Sequence, residues 1–282
     1  MKTILLPLLV DESVEAALAT AHMIAKRYGS YIEGLFIRSA PPMVPRAPVP
    51  AHFLSQYHDY WDENADKARE SFSAFMNEHG IAFRELASDE DGPTAWWREI
   101  EGEPDDVVGE YGRLFDLIVM ARASPKTSGE WSPLYDAALF DSGRPLLIAP
   151  ETAPKTLGET VVIAWNASTE TARTIAFAKP MLKDAKKVWV LSVEGAVGGM
   201  VSGPDGDQVA AHLTRGGINA VATSVQADRR SSGKAILEEA AALGADLLVK
   251  GAFTHNRLRQ MIFGGTTRHV LAEAKLSVFI AH

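Results

Sequence analysis

The stretch from Asp246 to Val270, DLLVKGAFTHNRLRQMIFGGTTRHV, gathers the residue types of a phosphate cradle. Leu247, Leu248 and Val249 form an apolar run too short for a free helix and suited to a buried parallel strand. Gly251 follows at once, then a basic loop with His255, Arg257 and Arg259, then Gly264 and Gly265 ahead of Thr266, Thr267 and a helical pattern. Glycine lets a backbone approach an anion closely and adopt positive φ. Exposed N–H groups at a helix start, with the partial positive charge of that end, favour phosphate. The competing reading is a strand that simply stops at Gly251 and an ordinary turn at Gly264 and Gly265, because glycine-rich strand-to-helix turns are common. His255, Arg257 and Arg259 either neutralise phosphates or are ordinary loop charge. Arg268 and His269, inside the following helix, are expected to face solvent.

Elsewhere the chemistry is thin. There is no Gly-x-Ser-x-Gly elbow and no His-Glu-x-x-His zinc signature, so no nucleophile and base can be paired. His52, His58, Asp59 and Asp62 place nitrogen and oxygen ligands in one segment, at spacings that match no metal signature. The absence of cysteine excludes disulfides, thiolate catalysis and Cys-ligated metals.

The elements that must position these residues alternate strand and helix along 282 residues, a length for two domains of ordinary size. Hydrophobic content of 46% is that of a globular protein, and a net charge of −8 argues against general nucleic-acid or anionic-membrane binding. No apolar run approaches the roughly 20 residues of a membrane helix. The opening TILLPLL is too short for a signal peptide's apolar core, and the chain is expected to be cytoplasmic. Strands are expected at Thr3–Leu9, Tyr31–Ile37, Phe83–Ala87, Leu114–Ala121 and Pro145–Ala149. Helices are expected at about 14–28, 59–79 and 133–142, with a weakly helical stretch around Trp96 and Trp97. Asp11 and Ser13 suit the cap of the first helix. Residues 39–50 hold five prolines and read as an extended loop beside Phe53, Tyr57, Tyr60 and Trp61, either a cover, a partner surface or core packing.

After residues 151–158, the best linker candidate, the same order restarts. TILLPL is echoed by TVVIAW, YIEGLFIR by KVWVLSVE, FDLIVMA by ADLLVKG, and GRPLLIAP by AKLSVFIAH. This predicts an α/β fold of two tandem open parallel five-stranded sheets with helices on both faces, as domains 1–150 and 158–282. Ligands of such sheets bind beyond the carboxyl ends of the strands, where strand order reverses, here at the ends of the first and fourth strands of each repeat.

With these elements in place the chain resembles the universal stress protein family in its tandem two-domain form, over nearly its whole length. The resemblance implies the Rossmann-like fold of the adenine nucleotide alpha hydrolase type. Nucleotide-binding members carry Gly-x-x-Gly, nine residues, then Gly-Ser or Gly-Thr. Gly251 and Gly264 fall on the first and last glycines. Thr254 stands at the second, where its branched side chain either blocks the loop or donates to phosphate. Gly265 stands at the hydroxyl position, with Thr266 one step later. The family's nucleoside contacts fall on Ala164, Asn166 and Val193. Asn166 stands for a frequent aspartate and keeps a donor and an acceptor. Trp165 either stacks on a base or covers the sheet edge, and cover is favoured. In the first repeat Ala121 stands where Gly251 does and Ser132-Pro133 falls near the last glycines, so no nucleotide is expected there. With those glycines gone, Asp11, which could mirror the adenine-side aspartate, is better read as a cap.

The resemblance thus implies a cytoplasmic stress-response module whose second domain binds ATP or another adenine nucleotide, with Mg²⁺ as an accompanying ion. It also implies that the first half pairs with the second through the last strands, IAP and IAH, resembling the family's homodimer within one chain; a homodimer or another protein is a further partner to expect. A disabled site that leaves a non-nucleotide-binding scaffold is the alternative. A slow ATPase ranks last, for want of a general base.

Overall fold

The structure, a computed structural model, describes residues 1–8, 14–40, 50–86, 92–122, 133–195, 200–252 and 265–282. It divides into two compact units, Met1–Arg144 and Pro145–His282.

The first unit runs β1 (Thr3–Leu8), α1 (Glu15–Tyr28), β2 (Tyr31–Arg38), α2 (Ala51–Glu78), β3 (Ala82–Phe83), β4 (Thr94–Glu101), α3 (Pro104–Tyr111), β5 (Leu117–Met120) and α4 (Pro133–Asp136), which continues as a π turn to Asp141. The strands lie side by side in the order β3-β4-β2-β1-β5, and every pairing is parallel. β1 and β5 are buried along their apolar runs, as strands covered on both faces must be. Gly34 in β2 has a specific purpose. A Cβ there would come within 2.8 Å of the Phe72 ring, so the missing side chain is what lets α2 seat an aromatic on the sheet.

Three expectations need correction. Trp96 and Trp97 lie in a strand, not a helix: β4 pairs along its whole length with β2. The charged residues that blurred its pattern are cross-strand partners. Arg98 Nε donates to Glu33 at 2.7 Å, and Arg38 Nη2 donates to Glu99 at 2.8 Å, so charge here stabilises a sheet. The strand expected at Phe83–Ala87 is reduced to the two residues of β3. α2 also begins eight residues before Asp59, so Phe53, Tyr57, Tyr60 and Trp61 belong to a helix. Asp11 and Ser13 lie outside the described residues.

The second unit runs β6 (Leu146–Ile148), β7 (Thr160–Ala164), α5 (Thr169–Asp184), β8 (Lys187–Glu194), α6 (Gly206–Arg215), β9 (Ala220–Gln226), α7 (Ser232–Ala242), β10 (Leu247–Gly251), α8 (Gly265–Glu273) and β11 (Ser277–Ala281). Its strand order is β6-β11-β10-β7-β8-β9. β7 to β11 are parallel, and β6 runs antiparallel on β11, with Leu147 opposite Phe279. The IAP and IAH strands are therefore paired, within this unit. The chain steps from β7 outward to β9, then returns to β10 on the other side of β7. The reversal point lies between β7 and β10.

The two repeats set their register by the same device. Asp246 Oδ2 and Oδ1 accept the N–H groups of Glu159 and Thr160, each at 3.1 Å, at the start of β7. Asp116 does the same for Lys2 and Thr3 at the start of β1, at 2.6 and 3.3 Å. An aspartate ahead of β5 and of β10, the strands the sequence counts as the fourth of each repeat, thus captures orphan donors of the repeat's first strand.

The most demanding polar group of the first unit is Glu33, 3% exposed on β2. It accepts from Arg98, from the Tyr111 hydroxyl at 2.7 Å, and from the Tyr31 hydroxyl. Burial, then the hydrogen bond to Glu33, pushes the Tyr111 phenol up to about 12 and moves Tyr31 in the same direction. Glu33→Ala removes a buried carboxylate and strands these donors. It is expected to cost about 3 kcal/mol in urea denaturation, whereas Glu63→Ala, which breaks an exposed pair with Lys67, is expected to leave the denaturation midpoint essentially unchanged.

Candidate functional site

The carboxyl ends of β7 and β10, together with the starts of α5 and α8, form the reversal point of the second unit. Ala164 closes β7 and is buried. The next residue, Trp165, extends the ladder by donating its N–H to Leu191 O at 2.8 Å. Its indole is 5% exposed and Nε1 donates to Pro204 O at 2.8 Å. Trp165 is therefore a cover over the sheet edge, held by the segment 200–205, and presents no open face for stacking.

Asn166 is half-buried and largely committed. Its Oδ1 accepts from the Ser168 N–H at 3.2 Å and from Thr171 Oγ1 at 2.7 Å, and its carbonyl accepts from the Val201 N–H at 3.0 Å. Its Nδ2 makes no hydrogen bond among the described residues. The tight geometry of this turn puts Ala167 at φ 65°, the left-handed region that alanine adopts at a cost. Ser168 then caps α5, its Oγ accepting from the Thr171 N–H at 3.2 Å. Segment 200–205 lies directly on this turn: a Cβ added at Gly203 would be 3.0 Å from the Ala167 Cβ. Val193, on β8, is paired with Val225 and only 6% exposed.

Gly251 ends β10, fully enclosed. A Cβ there would stand 2.4 Å from the Thr171 backbone nitrogen and 2.7 Å from the Glu170 carbonyl carbon. The close backbone approach that the sequence assigned to a phosphate is made by the first turn of α5. At the other edge, Gly265 and Thr266 open α8. Gly265 is exposed, and a Cβ on it would meet nothing within 4 Å. Thr266 is half-buried. The nine residues of α8 leave their first N–H groups to find partners at this end. Thr254, His255, Arg257 and Gly264, with Arg259, lie outside the described residues. In α8 Arg268 is exposed as expected, whereas His269 packs against α7, where a Cβ on Gly233 would come within 2.9 Å of the His269 Cβ. Asp62, weighed as a metal ligand, is engaged in an ion pair with Arg38.

One residue of this site escaped sequence reasoning. Lys250, inside β10 and paired with Ile280, is 5% exposed. Neighbouring strand residues point to opposite faces, so Lys250 faces away from α5 and toward α8. Its Nζ donates to Gly251 O at 2.7 Å and to Thr267 Oγ1, in the first turn of α8, at 2.8 Å. Burial pushes this ammonium down to about 8. The signal was a lysine inside an otherwise apolar strand, LLVKG, where a charge must find partners or lose its proton.

Comparison with known proteins agrees with this arrangement. Residues 159–282 match the model of the universal stress protein family. A comparison with curated proteins gave no match. Among solved structures, a universal stress protein from Archaeoglobus fulgidus DSM 4304 superposes with a TM-score of 0.70 at 18% identity, covering 99% of this chain and 97% of its own. A functionally unknown protein from Pseudomonas aeruginosa PAO1 does so with a TM-score of 0.56 at 16% identity, covering 99% and 92%. These likenesses extend the fold to the first unit. Residues 159–282 are thus similar to the universal stress protein family, and the full length has the mostly parallel α/β architecture of that Archaeoglobus structure.

Proposed function

We propose that this chain is a cytoplasmic stress-response protein whose second unit binds ATP or another adenine nucleotide as a regulatory ligand. The observation that carries the reading is the convergence, at the reversal point between β7 and β10, of the start of α8 with a buried cation beneath it. A helix start supplies N–H donors and positive potential for phosphate, and Gly265 leaves its approach open. Asn166 Nδ2 remains as a donor toward a ribose or base, and Ala164 and Val193 supply the apolar rim. On this reading Mg²⁺ accompanies the nucleotide and is held by its phosphates. The basic residues His255 and Arg257 and the glycine at 264 belong to the same site on this reading. On this reading the ligand is held and read rather than turned over.

A second reading has its own support. Trp165 is covered and Asn166 Oδ1 is committed to the α5 cap, which suits a scaffold that acts through another protein or a second copy of itself.

Two glycine variants separate fold from ligand. Gly251→Ala forces a Cβ into the α5 backbone and is expected to cost about 3 kcal/mol whether or not ligand is present. Gly265→Asp meets no atom, and an acid in the first turn of a helix stabilises it by about 0.5 kcal/mol. The same charge repels phosphate, so calorimetric titration with Mg-ATP should show the affinity of Gly265→Asp reduced at least about tenfold at an unchanged or raised Tm. Equal binding by wild type and Gly265→Asp would remove α8 from the site, and no binding by wild type would favour the scaffold.

A further inference from the structure

The two repeats solve one local problem in two ways, and the difference isolates a charge. In each, the carbonyl at the end of the fourth strand must be satisfied beneath the following helix. In the first unit the Tyr135 hydroxyl, third residue of its helix, donates to Ala121 O, and Met120 precedes Ala121 in the strand. In the second unit the corresponding residues are Thr267, third residue of α8, and Lys250. Lys250 Nζ now reaches Gly251 O and Thr267 Oγ1 at once. The first unit shows that the fold meets this need with neutral groups. The second places an ammonium at 5% exposure where a methionine suffices.

That ammonium has neutral partners only. Among the described residues it forms no ion pair. Residues 196–199 and 253–264, the remainder of the second unit, contain no aspartate or glutamate. The charged and titratable groups on the neighbouring elements are Arg268, His269 and Glu273 of α8, Lys234, Glu238 and Glu239 of α7, Glu170 of α5 behind Gly251, and His282 after β11. Burial, and none of these, sets its titration near pH 8. A buried charge without a counter-charge destabilises a fold.

We propose that Lys250 is a positioning residue of the second unit's ligand site: its ammonium, seated under the first turn of α8 through Thr267, supplies the charge that selects a phosphate-bearing anion there. The inference rests on the nucleotide reading and assigns to it a residue outside the glycine motif. Because the side chain is enclosed, it acts through Thr267 and the helix start and by its field.

Two opposite pH dependences follow. The folded value of about 8 lies below the ordinary 10.5 of lysine. The unfolded chain therefore binds the proton more tightly between these values, and ligand-free stability contributed by Lys250 rises as pH goes from 8 to 10 and is lost as pH falls through 8. Anion binding favours the protonated form, so affinity falls over that same rise.

The test is Mg-ATP titration at pH 7, 8 and 9, with Tm recorded on the same samples, for wild type, Lys250→Gln and the double variant Lys250→Met/Thr267→Tyr. The double variant reproduces the pair that already folds in the first unit. Wild type is expected to weaken about tenfold from pH 7 to 9, while its ligand-free Tm rises relative to the double variant's. Both variants are expected to fold, to bind at least about tenfold more weakly at pH 7, the order expected for one charge near a partly buried phosphate, and to lose the pH dependence. Variants that bind like wild type with the same pH profile would overturn the role of Lys250 and leave the nucleotide reading standing. Wild type that binds no ATP at any pH would overturn both. Should Lys250→Gln fail to fold, the double variant decides alone.

Discussion

The second unit depends on a backbone contact, the seating of the first turn of α5 on Gly251. The Thr171 N–H and the Glu170 carbonyl lie where any side chain at 251 would stand. This contact brings the ends of β7 and β10 together, because the turn that starts α5 leaves directly from β7 through Trp165, Asn166 and Ala167. Asn166 and Ser168 hold that turn by accepting from Ser168 and Thr171. What a sequence reader takes for a ligand cradle at Gly251 is first a solution to close packing. The anion site we propose lies on the other face of β10, at the exposed start of α8.

The duplication gives the chain an internal control. Asp116 and Asp246 capture the first strand's N–H groups in both repeats, so the frame is held in common. At the end of the fourth strand the repeats part. Ala121, Met120 and Tyr135 make a closed, neutral packing, whereas Gly251, Lys250 and Thr267 make a tighter backbone approach with a charge behind it. The same fold thus carries a strand end that is filled and one that is electrically poised.

Much of this was legible in the sequence, for physical reasons. Strands buried on both faces must be continuously apolar, which is why TILLPL, LIVM and TVVIA stood out. The repeat located the reversal point before any coordinate. Strands carrying charge were harder. β4 hid because Arg98, Glu99 and Glu101 break its alternation, and only the neighbouring strand, with Glu33 and Arg38, makes those charges sensible. The role of Asn166 was also out of reach, since its commitment to Thr171 depends on a turn geometry with Ala167 at positive φ. Lys250 stood in plain view, in a strand already read as buried, and burial is what gives a lysine there its meaning.

The central claim is that the second unit holds an adenine nucleotide. The most direct measurement is the small-molecule content of the purified protein, released by denaturation and identified by mass spectrometry of the supernatant. The account predicts an adenine nucleotide in stoichiometric relation to wild-type protein and its loss from Gly265→Asp prepared in the same way. A supernatant free of nucleotide after wild-type protein has been equilibrated with Mg-ATP would contradict it.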